Sequence, residues 1–257
     1  MHTAPFATTI ARYTLLEAMR NRLAWLALFA VAGALGIAAF LHQVAIMESR
    51  EVGAAVVAAI LRLTGVFIVV AFVVTSMVRE FNDKVLEIVL SRPVPRASYV
   101  FGKFVGFSTA AFAIAIGFAL PLVPFTAGAR VMPWALSLAC ELVVMVAVSL
   151  FCVLTLTNVV AALGAAAAFY VLSRSIGAAQ IIAAAGERSA AWTDRAADWT
   201  VAAIARLLPA FDQWTQTVWL VASGPDWAAL GSIALQASVY VALILAAALF
   251  DFHRQNF

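Results

Sequence analysis

Long apolar runs separated by charged links dominate the chain. Leu23–Leu41 carries no charge, and Ala54–Val78 is interrupted only by Arg62. A third run goes from Phe104 to Pro121, where Pro121 and Pro124 end it. Val131–Ser173 holds a single charge, Glu141, and is too long for one crossing. It predicts two helices joined near Thr155-Leu156-Thr157-Asn158, the second starting near Val159 and ending between Ser173 and Ala185. Trp227–Phe250 is the last run. A membrane-crossing helix needs about 20 such residues. The pattern therefore predicts an all-α, polytopic membrane protein of six transmembrane helices, one domain over residues 1–257, with both termini on one side. No ten-residue alternation recurs, which sets a β-barrel aside.

Composition agrees. Of 257 residues, 65% are apolar and 11% charged, against roughly 45–50% and about 25% in soluble domains. A soluble globule, a disordered chain and a disulfide-stapled domain are all excluded. Cys140 and Cys152 fall on one predicted helix, about 18 Å apart along its axis, too far to bond. The net charge of +3 does not argue for nucleic acid, because the basic residues cluster beside the apolar runs. Arg12, Arg20, Arg22, Arg79, Lys84, Arg92, Arg96, Lys103 and Arg254 all fall on one face, and the short links opposite carry only Arg50 and Arg130. The positive-inside rule then predicts cytoplasmic termini in a bacterial cytoplasmic (inner) membrane. The first apolar run begins only at Leu23 and is long enough to span, which argues against a cleavable signal peptide.

Two segments outside the runs carry design. Residues 3–22 are amphipathic: Phe6, Ile10 and Tyr13 share a stripe, with Arg12, Glu17 and Arg20 around it. This predicts an interfacial helix among lipid headgroups, with a plain basic leader as the alternative. Residues 79–98 begin as a helix with a Phe81–Val85–Ile88 stripe and a Glu80–Lys84 pair. Pro93 stops that helix near Ser91 or Arg92, and Pro93-Val94-Pro95 makes a stiff corner. A short rigid helix wedged between two crossings transmits force; a solvated, topology-setting loop is the alternative.

The skeleton E-x-x-x-S-R-P-x-x-R-x-x-Y-x-x-G-K over Glu87–Lys103 resembles the cytoplasmic coupling region of ATP-binding-cassette (ABC) type-2 exporter permeases. Its features are Glu80 and Glu87, then Ser91-Arg92-Pro93, Arg96, Tyr99 and Gly102-Lys103. Arg12–Arg22 is similar to that family's opening interfacial segment. The resemblance implies a permease subunit that works as a dimer, a homodimer being favoured. Cytoplasmic ABC ATPase subunits would dock on the coupling segment, through Glu80, Phe81, Lys84, Glu87, Ser91, Arg92, Pro93 and Arg96. It also implies a partner chain that holds ATP and Mg, with no cofactor here. This chain has no G-x-x-x-x-G-K-[ST], since Gly102-Lys103 is followed by Phe104. No hydrolase or metal motif is present, so no catalytic residue and no metal site is expected. The rivals are an ATP-independent transporter or channel, which would place more than two charges inside the crossings, and a non-transport membrane anchor of an assembly or maturation complex.

Arg62 and Glu141 each lie roughly 10–12 Å below the outer end of their helices at about 1.5 Å per residue. Opposite charges at one depth predict an intramembrane ion pair. A structural salt bridge, a polar cavity and a snorkelling Arg62 are the readings. Finally, Arg174–Trp227 (174–227) holds Trp192, Trp199, Trp214, Trp219 and Trp227 of the 7 tryptophans. It predicts short outer-face helices, ending at Leu207-Leu208-Pro209, that form either a lid or an exit gate.

Overall fold

The structure is a computed structural model that describes residues 4–20, 23–44, 49–83, 96–126, 128–185, 192–221 and 227–254. The helices are α1 (Ala4–Arg20), α2 (Leu23–Val44), α3 (Ser49–Asn82), α4 (Arg96–Ala119), α5 (Gly128–Leu156), α6 (Val159–Ala185), α7 (Trp192–Leu207), α8 (Val218–Val221) and α9 (Trp227–Arg254). Among the described residues there is no strand. Five stretches of the described residues are long and apolar enough to cross a membrane: Gly53–Asn82, Ala97–Leu122, Gly128–Leu156, Val159–Ile181 and Trp227–Arg254. The apolar stretch of α2, Trp25–Phe40, is shorter.

Local chemistry sets the boundaries. Pro121 sits where α4 gives way to a 3₁₀ turn, Leu120–Leu122. The long apolar run splits where the sequence predicts. Thr157 takes a φ of 52°, which breaks the helix. The Asn158 side-chain oxygen then caps α6 by accepting the N–H of Val160 at 2.9 Å and of Ala161 at 3.3 Å. Two residues thus reverse the chain. Helix α6 does not stop at Ser173 but continues to Ala185. Arg174 therefore lies inside a membrane-length helix rather than at the start of the outer segment, because the alanine-rich turns after it sustain the helix.

Helix α5 is the hub and packs on α3, α4, α6 and α9. Its apolar window is 78% buried, against 28% for α6 and 22% for α9, so α6 and α9 form the rim. Their outward side chains, among them Val171, Ile181, Leu235 and Leu243, suit contact with lipid. Cys140 and Cys152 are both free. The end of the bundle that holds the last turn of α3, the first turn of α4, the α5–α6 turn and Arg254 is here the basal end; the other is the distal end.

Helix α1 lies against α4, and of the Phe6–Ile10–Tyr13 stripe Ile10 packs against the core while Tyr13 faces outward. Thr14 and Ala18 are buried, Ile10 and Leu15 half-buried, while Tyr13 is 69% exposed with Arg12, Leu16 and Arg20. The Phe6 side chain lies outside the described residues. The reason is a notch at Gly106. A Cβ there would sit 2.6 Å from the Thr14 Cβ and 2.9 Å from the Ala11 carbonyl oxygen, so only small groups of α1 fit.

Gly106→Ala should lower thermal stability in detergent by about 1–3 kcal/mol through overpacking. Gly117→Ala, whose Cβ would meet nothing within 4 Å, should be neutral or slightly stabilising. Equal melting shifts for the two variants would show that the α1–α4 contact is not tight.

Candidate functional site

Two polar groups stand out from the apolar bundle. The basal one is built on the last turn of α3, where Arg79 and Glu80 are neighbours that reach to different helices. Arg79 pairs with Glu17 of α1, and Ser76 Oγ donates to the same Glu17 Oε1 at 2.8 Å. Glu80 is gripped from α4: the Tyr99 hydroxyl donates to Oε2 at 2.6 Å, and Lys103 Nζ pairs with Oε1. Tyr99 and Lys103 are i, i+4, so they project from one face of α4. Tyr99 also stacks on Phe252 of α9, with ring centroids 6.4 Å apart, and Lys103 lies 5.6 Å from the Phe107 ring centroid. One turn of α3 is thereby tied to α1, α4 and, through Tyr99, α9.

The sequence reading gave Glu80 a local partner, Lys84. In the structure the two carboxylate oxygens meet Tyr99 and Lys103 of the Y-x-x-G-K element. Lys84, Glu87, Ser91, Arg92 and Pro93 lie outside the described residues. Arg96 opens α4, and its side chain is likewise outside them. Phe81 packs half-buried against the core. Beside the clamp, Tyr13, Leu16, Glu17, Arg20 and Arg79 line a shallow depression on the exposed side of α1.

The distal group is formed where residues 208–217, between α7 and α8, dip among α3, α5, α6 and α9. Phe211 and Trp214 are fully buried and pack ring to ring at 5.1 Å, with Tyr170 5.9 Å from Phe211. Trp214 Nε1 donates to Gln236 Oε1 of α9 at 3.1 Å. Thr215 has a φ of 23°, a conformation costly for a β-branched residue. Its neighbours stabilise it. The Thr215 N–H donates to Ser137 Oγ at 2.8 Å, and its carbonyl accepts from Arg62 Nη1 at 2.9 Å. Arg174 donates in the same way to the Phe211 carbonyl. Asp212 fits only because residue 177 is glycine, where a Cβ would lie 2.0 Å from its Oδ2.

Arg62 and Glu141 do meet in this group, but not as the expected ion pair. Among the described residues the ion pairs are Arg79–Glu17 and Lys103–Glu80. Irregular backbone inside a bundle presents carbonyls without helical partners, and these capture both guanidinium groups. Glu141 is fully buried, surrounded by Thr215, Arg174, Arg62 and Tyr170, and neither carboxylate oxygen closes a hydrogen bond. Arg174, Ser137, Tyr170, Asp212 and Thr215 were missed as members. Their only sequence signal was a polar residue within or beside an apolar run.

Glu80→Leu alone strands Lys103, which is 5% exposed, and should cost about 3–5 kcal/mol of stability. The double variant Glu80→Leu/Lys103→Met leaves no lone charge and should recover most of that loss in thermal unfolding. Additive losses in the two positions would show that the pair does not interact.

Compared with known protein families and with curated proteins, the chain has no match in either.

Proposed function

We propose that this chain is the transmembrane (permease) subunit of an ABC exporter. In this reading α2 is the sixth crossing, the basal end is cytoplasmic, and α1 lies at the lipid interface with Arg12, Tyr13 and Arg20 outward. ATPase subunits on separate chains, carrying ATP and Mg, bind the α3–α4 link, and two permease subunits flank the pathway. The observation that carries the reading is the basal clamp. Tyr99 and Lys103, two residues of the family-like motif, hold the carboxylate at the end of α3, and its neighbour Arg79 holds α1. A push on the link therefore reaches α1, α3, α4 and α9 together instead of being absorbed by loose chain. The depression beside Glu17, Arg20 and Arg79 offers a partner side chain both an anionic and a cationic contact.

One observation favours a second reading, an ATP-independent transporter. Arg174 adds a third charge to Arg62 and Glu141 inside membrane-length helices. Flux in proteoliposomes that hold this chain alone separates the two.

Co-purification with candidate cytoplasmic ATPases, followed by ATPase rates in reconstituted membranes, tests the main reading. The wild-type chain should stimulate hydrolysis. Glu87→Arg should abolish the stimulation with no change in melting temperature. Impermeant cysteine labelling that finds the α3–α4 link on the outer face would overturn the assignment.

A further inference from the structure

We propose that Arg62 and Arg174 form an oxyanion-binding site within the distal half of the bundle, and that residues 208–217 occupy it as a built-in ligand mimic. The segment offers these arginines what an oxyanion would: the carbonyl oxygens of Thr215 and Phe211 and the carboxylate of Asp212, which lies within electrostatic reach of Arg174. It is not a helix, so its withdrawal breaks no helical ladder.

Charge selects the ligand. With the segment seated, two guanidinium groups face two carboxylates, Glu141 on α5 and Asp212 on the segment. When the segment leaves, Asp212 leaves with it, and the guanidinium groups lose one counter-charge. An uncompensated charge away from water is strongly unfavourable, so the vacated site calls for one negative charge. The donor inventory fits. Arg62 uses Nη1 on the Thr215 carbonyl while its Nε is buried without a hydrogen-bond partner. Nε is one prong of the side-on fork, with Nη2 the other, that suits two oxygens of one oxyanion, and that prong is unused. Trp134 Nε1, one turn from Ser137 on α5, is a second buried donor without a partner. The ligand is thus a singly charged phosphate ester or carboxylate, either a lipid headgroup or a free anion.

This goes beyond the ATPase-coupled reading, because binding is measured on the full chain alone and stands or falls without a motor. Asp212→Asn removes the mimic's charge and leaves both arginines. In phosphatidylcholine nanodiscs, spin-labelled phosphatidylglycerol is compared with spin-labelled phosphatidylcholine by the fraction immobilised on the protein. Sodium phosphate is titrated separately by calorimetry. Asp212→Asn should bind one probe at least about tenfold more tightly than the wild type. The gain should vanish with Arg62→Gln/Arg174→Gln and persist in part with Arg174→Lys. A phosphatidylglycerol response names a lipid headgroup, and a phosphate response names a soluble anion. If Asp212→Asn does not yield a folded chain, Gly177→Ala displaces the same carboxylate sterically and should give the same gain. No gain with either probe, or a gain that survives loss of both arginines, overturns the proposal.

Discussion

Backbone that is neither helical nor exposed must find its hydrogen-bond partners on side chains, and here it finds them on guanidinium groups. Residues 208–217 could not pack among α3, α5, α6 and α9 if the carbonyls of Phe211 and Thr215 were left bare in an apolar surround. Arg174 and Arg62 cover them, and Ser137 takes the Thr215 N–H. The same exchange explains why charges persist inside helices that are otherwise hydrocarbon. Each arginine is held by the segment, and the segment by the arginines, so neither is stable in its place without the other. The burial of Phe211 and Trp214 follows from that contract between side chain and backbone.

The basal end solves a different problem. There, among the described residues, cohesion between the helices comes from side chains placed near helix ends. Arg79 and Glu80 are adjacent in sequence and point apart, which makes one turn of α3 a junction for several neighbours. Lys103 is buried beside an aromatic ring, and Glu80 is the counter-ion that meets it there. The two ends of the bundle thus hold polar groups of opposite character, closed ion pairs basally and carbonyl-captured arginines with an unbonded Glu141 distally. Helix α5 lies between them as the common packing surface.

Most of the architecture was legible in the sequence, because apolar run length and proline position obey simple rules in a chain this hydrophobic. The split at Thr157-Asn158, the stop at Pro121 and the end of α7 at Leu207 were all readable. The reading failed where non-local competition decided the outcome. Depth arithmetic brought Arg62 and Glu141 together correctly, but a backbone carbonyl leaves no trace in residue type, so its claim on Arg62 was invisible. Hydrophobic periodicity grouped Tyr13 with Ile10 on one stripe but said nothing of which residues meet α4, where the notch at Gly106 selects for small size and the aromatic ring stays outward. The end of this helix was left open between Ser173 and Ala185, because Arg174 interrupts an apolar run while the alanines after it can carry the helix onward, as they do. The motif pointed to Tyr99 and Lys103 as family-like positions, and only the fold shows that their common task is to hold Glu80.

The two-residue turn at Thr157-Asn158 has a geometric consequence. With no slack between them, α5 and α6 cannot slide past each other along the bundle axis; they can only splay, with the turn as fulcrum. Glu141 and Arg174 lie equally far from that fulcrum on their two arms, about 22 Å at 1.5 Å per residue. A splay of roughly 6° would part them by about 2 Å, enough to break a hydrogen bond, while the basal ends hardly move. The hairpin is a pair of calipers, and the polar residues of the distal group sit about halfway along its arms, so a small angle already carries them past hydrogen-bonding range while the free ends at Gly128 and Ala185 swing further.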